Sequence, residues 1–246
     1  MQRTRTNFLR TLHILSLFAI LASLPIVMPT GRAAASSDAE VPHEAEKLNH
    51  SGLEHLKKKQ YDEAIRLFRE ALKIQPEFPD ALDNLGKALD ASGKDDEAIA
   101  DFDKALKLAP ENAAILSDRG LALFHEKKFD ESIAAYQKAI EIHKDFPEAY
   151  NGLGAALLEQ GKTDQAIPAF RKAIELNPKN ADALNNLGSA LMKQNQAAEA
   201  ATYFRKAHSL QPNLPDVLEN YAQALDQSGQ TNEAIAAYQA RFEASQ

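Results

Sequence analysis

A glycine recurs every thirty-four residues along this chain, at Gly52, Gly86, Gly120, Gly154 and Gly188, and Ala222 holds the next position in the series. A period of that size, kept without one insertion, describes a small unit copied in tandem, each copy too small to bury its own apolar face. Numbering the units from Ala45, Pro79, Ala113, Pro147, Ala181 and Pro215 brings like residues into like slots. Slot 4 holds Leu48, Leu82, Leu116, Tyr150, Leu184 and Leu218, slot 20 is Ala or Ser in every unit, and slot 24 is Phe68, Phe102, Tyr136, Phe170, Phe204 and Tyr238.

Slots 4, 7 and 11 lie on one helical stripe, and slots 20, 21, 24, 27 and 28 on a second, so each unit reads as two amphipathic helices. Small residues at slots 8, 20 and 27 mark where those helices approach closely. Gly93, Gly161, Gly229 and Asn195 at slot 15 suit a left-handed stop to the first helix. Asp62, Asp96, Asp130, Asp164 and Asn232 at slot 18 suit a cap or a first turn for the second helix. Proline at slot 32 (Pro76, Pro110, Pro178, Pro212) ends it, while Pro168, early in its own helix, predicts a lost backbone bond and a slight bend.

Hairpins of this kind bury their apolar faces only by stacking, which gives an all-α, open and curved rod held by neighbour contacts. End units should therefore depart from the pattern. Ser51 and His55 stand where other units mostly carry Leu, and Arg241 replaces the slot-27 alanine. No further helix follows the sixth unit to cover it, so Ile235, Tyr238 and Phe242 are expected to be partly exposed, as an interface or as an ordinary frayed end.

The framework of large apolar, Leu-Gly, Tyr, then Ala, Phe and Pro resembles the tetratricopeptide repeat (TPR) family, over 45–246. The resemblance implies a right-handed α-solenoid of six helix-turn-helix repeats, at 45–78, 79–112, 113–146, 147–180, 181–214 and 215–246. It also implies that first helices line a concave groove into which slots 2, 5, 6 and 9 look. The candidate partner-binding residues there are Asn49, Asp83, Asn84, Lys87, Asp118, Asn151, Asn185, Asn186 and Asn220, in a setting otherwise rich in acids such as Glu46, Asp80 and Asp216. Some family members grip a chaperone's C-terminal carboxylate with Lys at slot 5, but slot 5 here offers no lysine, so that clamp is absent. A second reading of the groove resembles the asparagine ladder in the repeat region of O-linked N-acetylglucosamine transferase, where slot-6 Asn amides bind the backbone of an extended peptide. Asn84, Asn186 and Asn220 match that ladder, whereas His50, Asp118 and Gly152 break it. An amide both donates and accepts, which suits holding a peptide whatever its sequence.

Residues 1–35 follow a different pattern. Arg3, Arg5 and Arg10 precede an apolar run from Leu12 to Met28, and Ala33 and Ala35 satisfy the small-x-small rule for a cut before Ser36. That is the pattern of a secretory signal peptide, placing the mature chain in a periplasm or outside the cell; left uncleaved, the same segment would be an anchor and the one link to a membrane. Residues 36–44 read as a polar lead-in. The chain has no cysteine, so disulfides cannot contribute to an exported fold and packing must suffice.

The chain carries 28 basic and 35 acidic residues; four of the arginines and no acid lie in residues 1–35, leaving about −11 for the remainder. Such an acidic balance argues against nucleic acid and anionic lipid as partners. Phosphate-binding glycine loops, nucleophilic serine elbows and His pairs at metal spacing are all missing, and His50 and His55, five apart, do not share a helix face. Together these features predict a non-catalytic scaffold or adaptor, without cofactor or metal, binding a neutral or basic polypeptide segment in its groove. The alternatives are a structural protein that self-associates as a homo-oligomer through its last repeat, and an accessory subunit of an enzyme complex.

Overall fold

The computed structural model describes residues 37–212 and 215–244; the expected signal peptide lies outside them. Twelve helices and no strand occur among the described residues. They pair as α1 (Ser37–Lys57) with α2 (Tyr61–Ile74), α3 (Pro79–Ala91) with α4 (Asp95–Leu108), and α5 (Ala113–His125) with α6 (Phe129–Ile142). The later pairs are α7 (Pro147–Glu159) with α8 (Thr163–Leu176), α9 (Ala181–Lys193) with α10 (Ala197–Leu210), and α11 (Pro215–Gln227) with α12 (Thr231–Ala244). The six hairpins stack in chain order as a right-handed α-solenoid. Odd-numbered helices touch the next odd-numbered helix, whereas successive even-numbered helices keep their backbones apart. The array therefore curves with the odd-numbered helices inside, and on the outside long ion pairs span the gap, as from Arg69 Nη2 to Glu97 (2.9 Å) and from Arg171 Nη2 to Glu199 (3.2 Å).

The glycine period has a direct steric cause. In four hairpins the slot-24 phenylalanine is 0–1% exposed and its ring lies against the slot-8 glycine; a Cβ on Gly52, Gly86, Gly154 or Gly188 would stand 2.5–2.6 Å from ring carbon. Alanine there would force two helices apart. Burial of such a ring is worth roughly 3–5 kcal/mol by the cost of truncating it to alanine.

The turn inside each hairpin is also uniform. All six slot-15 residues adopt left-handed backbone: Gly93, Gly161 and Gly229 at φ 75–81°, Asn195 at 60°, and, unanticipated from their identity, Lys59 at 58° and Lys127 at 59°. In every hairpin the next residue's N–H reaches back to a carbonyl of the first helix, as from Lys128 to Leu123 (2.8 Å) and from Lys162 to Leu157 (2.9 Å). This satisfies carbonyls that the helix end would otherwise leave bare. Second helices begin at slot 17, so the slot-18 acids occupy the first turn rather than the cap, where they complement the helix dipole. They also tie repeats together, since Asp130 accepts from Gln160 Nε2 (2.7 Å) and Asp96 from Lys128 Nζ (2.9 Å). First helices start on Pro79 and Pro147, or on capping Asn112 and Asn180, whose Oδ1 atoms accept backbone N–H groups of α5 and α9. Pro168 sits inside α8, which continues to Leu176.

One expectation is corrected. The lead-in is helical, because α1 begins at Ser37. Once Ala45 (0% exposed) and Asn49 are packed, each added residue gains a backbone bond.

Buried apolar side chains fall into two large clusters. One joins repeats 1 to 3 through Phe68, Leu85, Phe102 and Ala122, and the other runs from Ile133 through Phe170 and Phe204 to Ala237. Between them lies a smaller group of Leu116, Tyr136, Ala139 and Ala149. Repeat 3 is accordingly polar where its neighbours are apolar. Arg119 occupies slot 7 and donates from Nε to Asp103 (2.7 Å), and buried Ser132 donates to the Gly120 carbonyl (2.7 Å).

Candidate partner-binding groove

The odd-numbered helices carry slots 5 and 6 along their mutual contacts, so the candidate residues meet across repeat boundaries. Asn84 Nδ2 donates to Asn49 Oδ1 (3.0 Å), Asn186 to Asn151 (3.0 Å) and Asn220 to Asn185 (3.1 Å), each pair thirty-five residues apart. Slot 6 of one repeat thus binds slot 5 of the repeat before it, forming rungs at the first, fourth and fifth boundaries. Asn49 and Asn84 are buried by this pairing, at 9% and 8% exposed, while Asn151, Asn185, Asn186 and Asn220 remain half-buried. Each rung uses one N–H and one oxygen lone pair, leaving the amides further donor and acceptor capacity.

The second boundary replaces the amides with charge. Lys87 Nζ bridges Asp83 (2.6 Å) on its own helix and Asp118 (3.0 Å) on the next. Burial works to lower the Lys87 pKa, but the charges of Asp118 and Asp83 outweigh it and raise the value, so the lysine stays charged. Burial raises the Asp83 pKa despite Lys87, and Asp83 Oδ1 is buried with no hydrogen-bond partner. Two carboxyl groups thus face one ammonium, and the ionised form of Asp83 is the strained member.

The third boundary is open. Gly152 stands at slot 6 and Ser117 at slot 5, and the end of the Tyr136 side chain fills the vacated room; a Cβ on Gly152 would lie 2.2 Å from Tyr136 Cζ and 2.6 Å from its hydroxyl oxygen. Tyr136 is 3% exposed. Burial, with the charges of Asp118 and Asp90, pushes its pKa well above the ordinary phenol range, so it is an O–H donor and acceptor at any physiological pH. Leu121, at slot 9 of the same stretch, is 41% exposed. Neither Tyr136 nor Leu121 was a candidate from sequence. The available signal was paired: the tyrosine replaces phenylalanine in the repeat before the one where glycine replaces asparagine.

Elsewhere, Ile235, Tyr238 and Phe242 are 50%, 38% and 64% exposed on α12, at the expected terminal face. Asp90, Asp95 and His125 bring three donor atoms within 4.8 Å of one another. His125 Nδ1 hydrogen-bonds Asp90 Oδ1 (2.9 Å), burial raises the Asp90 pKa, and Asp95 Oδ1 is buried without a hydrogen-bond partner. Hollows occur on the turn side, lined by His55, Tyr61 and Lys94, and beside α2 and α4, lined by Leu72 and Lys104. Neither converges with the amide rungs, the first of which is buried and the other two half-buried. Among the described residues no helix is long and apolar enough to cross a membrane.

Known proteins share this fold. A family model for the tetratricopeptide repeat matches residues 51–113 and 151–215, a TPR repeat model matches 120–161, and a further tetratricopeptide repeat model matches 191–245. No curated protein matches the chain. Among solved structures, Pseudomonas aeruginosa pilF is 20% identical over 80% of this chain and 90% of its own, with a TM-score of 0.72. MamA is 30% identical over 65% of this chain and 94% of its own, with a TM-score of 0.57. YrrB, described as a TPR protein with an unusual peptide-binding site, is 20% identical over 72% of this chain and 91% of its own, with a TM-score of 0.57. Hairpins stacked at a thirty-four-residue period, with the build of a protein–protein interaction scaffold, and family models spanning most of the repeats lead to one assignment: the chain belongs to the tetratricopeptide repeat family.

Proposed function

We propose that this protein is a non-catalytic adaptor that holds an extended segment of a neutral or basic protein along its concave groove, in a periplasm or outside the cell. The observation that carries the reading is the series of cross-repeat amide rungs, in register on the inner face and with hydrogen-bonding capacity to spare. A peptide backbone offers alternating carbonyls and N–H groups, which such amides can meet without reading side chains. The acids around the rungs favour a basic partner, and that contribution weakens as salt screens it. Export rests on the residue 1–35 pattern alone.

The test is fluorescence anisotropy with unstructured peptides of neutral, basic and acidic composition, in rising salt. Neutral and basic peptides should bind and acidic ones should not; Asn186→Ala with Asn220→Ala should weaken binding of both. Equal affinity for all three peptides, or indifference to the double substitution, would exclude the groove as the binding surface.

A second reading has its own observation. The exposed Ile235, Tyr238 and Phe242 face favours self-association through the last repeat. Light scattering on the full chain, with and without Tyr238→Ser and Phe242→Ser, distinguishes a terminal dimer from a monomeric adaptor.

A further inference from the structure

The groove is not uniform, and its middle departs from both ends in a coordinated way. Amide rungs occupy the outer boundaries, while the two central ones carry Asp83, Lys87 and Asp118, and then Gly152 with the Tyr136 hydroxyl. Three properties coincide there. Two carboxyl groups face one ammonium in the charged trio, and Asp118 keeps 29% of its side chain exposed even with Lys87 against it. Leu121, one turn on from Asp118 along α5, offers an exposed aliphatic surface on the same helix face. Tyr136 is only 3% exposed, yet its hydroxyl reaches the place where a slot-6 side chain would begin. An apolar strip ending in a carboxylate and a hydroxyl oxygen complements a long aliphatic stem that ends in a cation.

We propose that the centre of the groove is a specificity subsite for one lysine or arginine side chain of the bound polypeptide, with Leu121 against its stem and Asp118 and the Tyr136 hydroxyl receiving its charged head. The subsite deepens the groove reading and rests on it. Amide rungs on either side hold the peptide backbone without regard to sequence, and this one site sets the register. Lys87 retains Asp83 while the incoming cation shares Asp118, so no carboxylate is stripped of its partner. The Asp118 carboxylate contributes most to this preference, because a charge-assisted hydrogen bond in a partly buried site is about twice as strong as a neutral one. Tyr136 adds a neutral acceptor.

The experiment uses the full chain and short unstructured peptides of Ala, Gln and Ser with one central residue varied among Lys, norleucine and Gln. Anisotropy titrations should give a Lys-over-norleucine preference of roughly tenfold. Asp118→Asn should bring that ratio close to one, and Tyr136→Phe should reduce it a few-fold. The latter is a conservative change, since Phe68, Phe102, Phe170 and Phe204 hold the same slot, and circular dichroism verifies that the repeat remains folded. Leu121→Ala should weaken the Lys and norleucine peptides alike. If all three peptides bind equally well to the unaltered chain, the subsite is refuted and the groove reading survives. If none binds, the groove reading falls and takes the subsite with it. A Lys preference that persists in Asp118→Asn overturns the assignment of the carboxylate.

Discussion

The two lysines held in left-handed backbone at slot 15 make a sharp test of the turn geometry. Lys127 is exposed, has φ 59° and closes α5 through N–H groups that reach the Phe124 and Leu123 carbonyls. A side chain in that conformation costs about 1–2 kcal/mol relative to the right-handed region, a cost that glycine escapes. Against this, glycine loses more freedom on folding, by roughly 0.5–1 kcal/mol. Lys127→Gly should therefore stabilise by about 0.5–1 kcal/mol, since no hydrogen bond depends on the lysine side chain. The reciprocal change is equally clean: Gly161 has φ 76° and a Cβ there would meet nothing within 4 Å, so Gly161→Ala isolates the backbone contribution and should cost about 1 kcal/mol. For a chain of this size each kcal/mol moves Tm by about 2–4 °C. Urea unfolding followed by circular dichroism reads both variants as shifts of the transition in which repeats 3 and 4 melt. A lower midpoint for Lys127→Gly, or no change for Gly161→Ala, would refute the claim that the left-handed turn is a strained position filled best by glycine.

Three further outcomes are expected. Leu85 is 3% exposed in the N-terminal apolar cluster, so Leu85→Ala should cost roughly 2–5 kcal/mol in the same assay, and a negligible loss would undo the slot register. Asp83→Asn replaces a buried carboxylate, whose pKa burial raises, by the amide found at slot 5 in three other repeats, and should raise Tm at neutral pH. Because the folded chain holds the Asp83 proton more tightly than the unfolded one, the carboxylate costs stability above its folded pKa; the variant's advantage should hold at neutral pH and disappear as pH falls through that value to the ordinary aspartate range. Finally, Phe242→Ser and Tyr238→Ser should lower any concentration-dependent mass seen by light scattering, and an unchanged mass distribution in an associating sample would clear the α12 face of that role.

The hairpins were legible because helical spacing and the glycine–phenylalanine contact act within one repeat. Slots 8 and 24 lie on the two helices of a single hairpin, and their steric demand is written directly into residue type. The left-handed turns at Lys59 and Lys127 were not legible, since lysine has no preference for that backbone and is held there by the bonds on either side. The asparagines at slots 5 and 6 were identifiable as groove residues, but their pairing across thirty-five residues depends on how far one repeat rotates against the next, which a local pattern does not encode. The same holds for Tyr136, whose hydroxyl reaches the slot-6 position only because Gly152 of the following repeat makes room. Helix upstream of Ala45 was missed because it extends from a packed neighbour rather than from any signal of its own.

The division of the apolar interior at repeat 3 has a consequence for how this array comes apart. Nearest-neighbour stacking makes the free energy of a repeat array a sum along the chain, so a polar joint is where partial melting meets the least resistance. With Arg119 and Asp103 ion-paired at that joint, and Ser132 and Tyr136 in place of the alanine and phenylalanine of the repeats on either side, the two ends can lose structure separately. Heating or denaturant would then populate species in which one set of hairpins persists while the other has melted. Limited proteolysis would register these as a stable fragment with a terminus near the middle of the sequence.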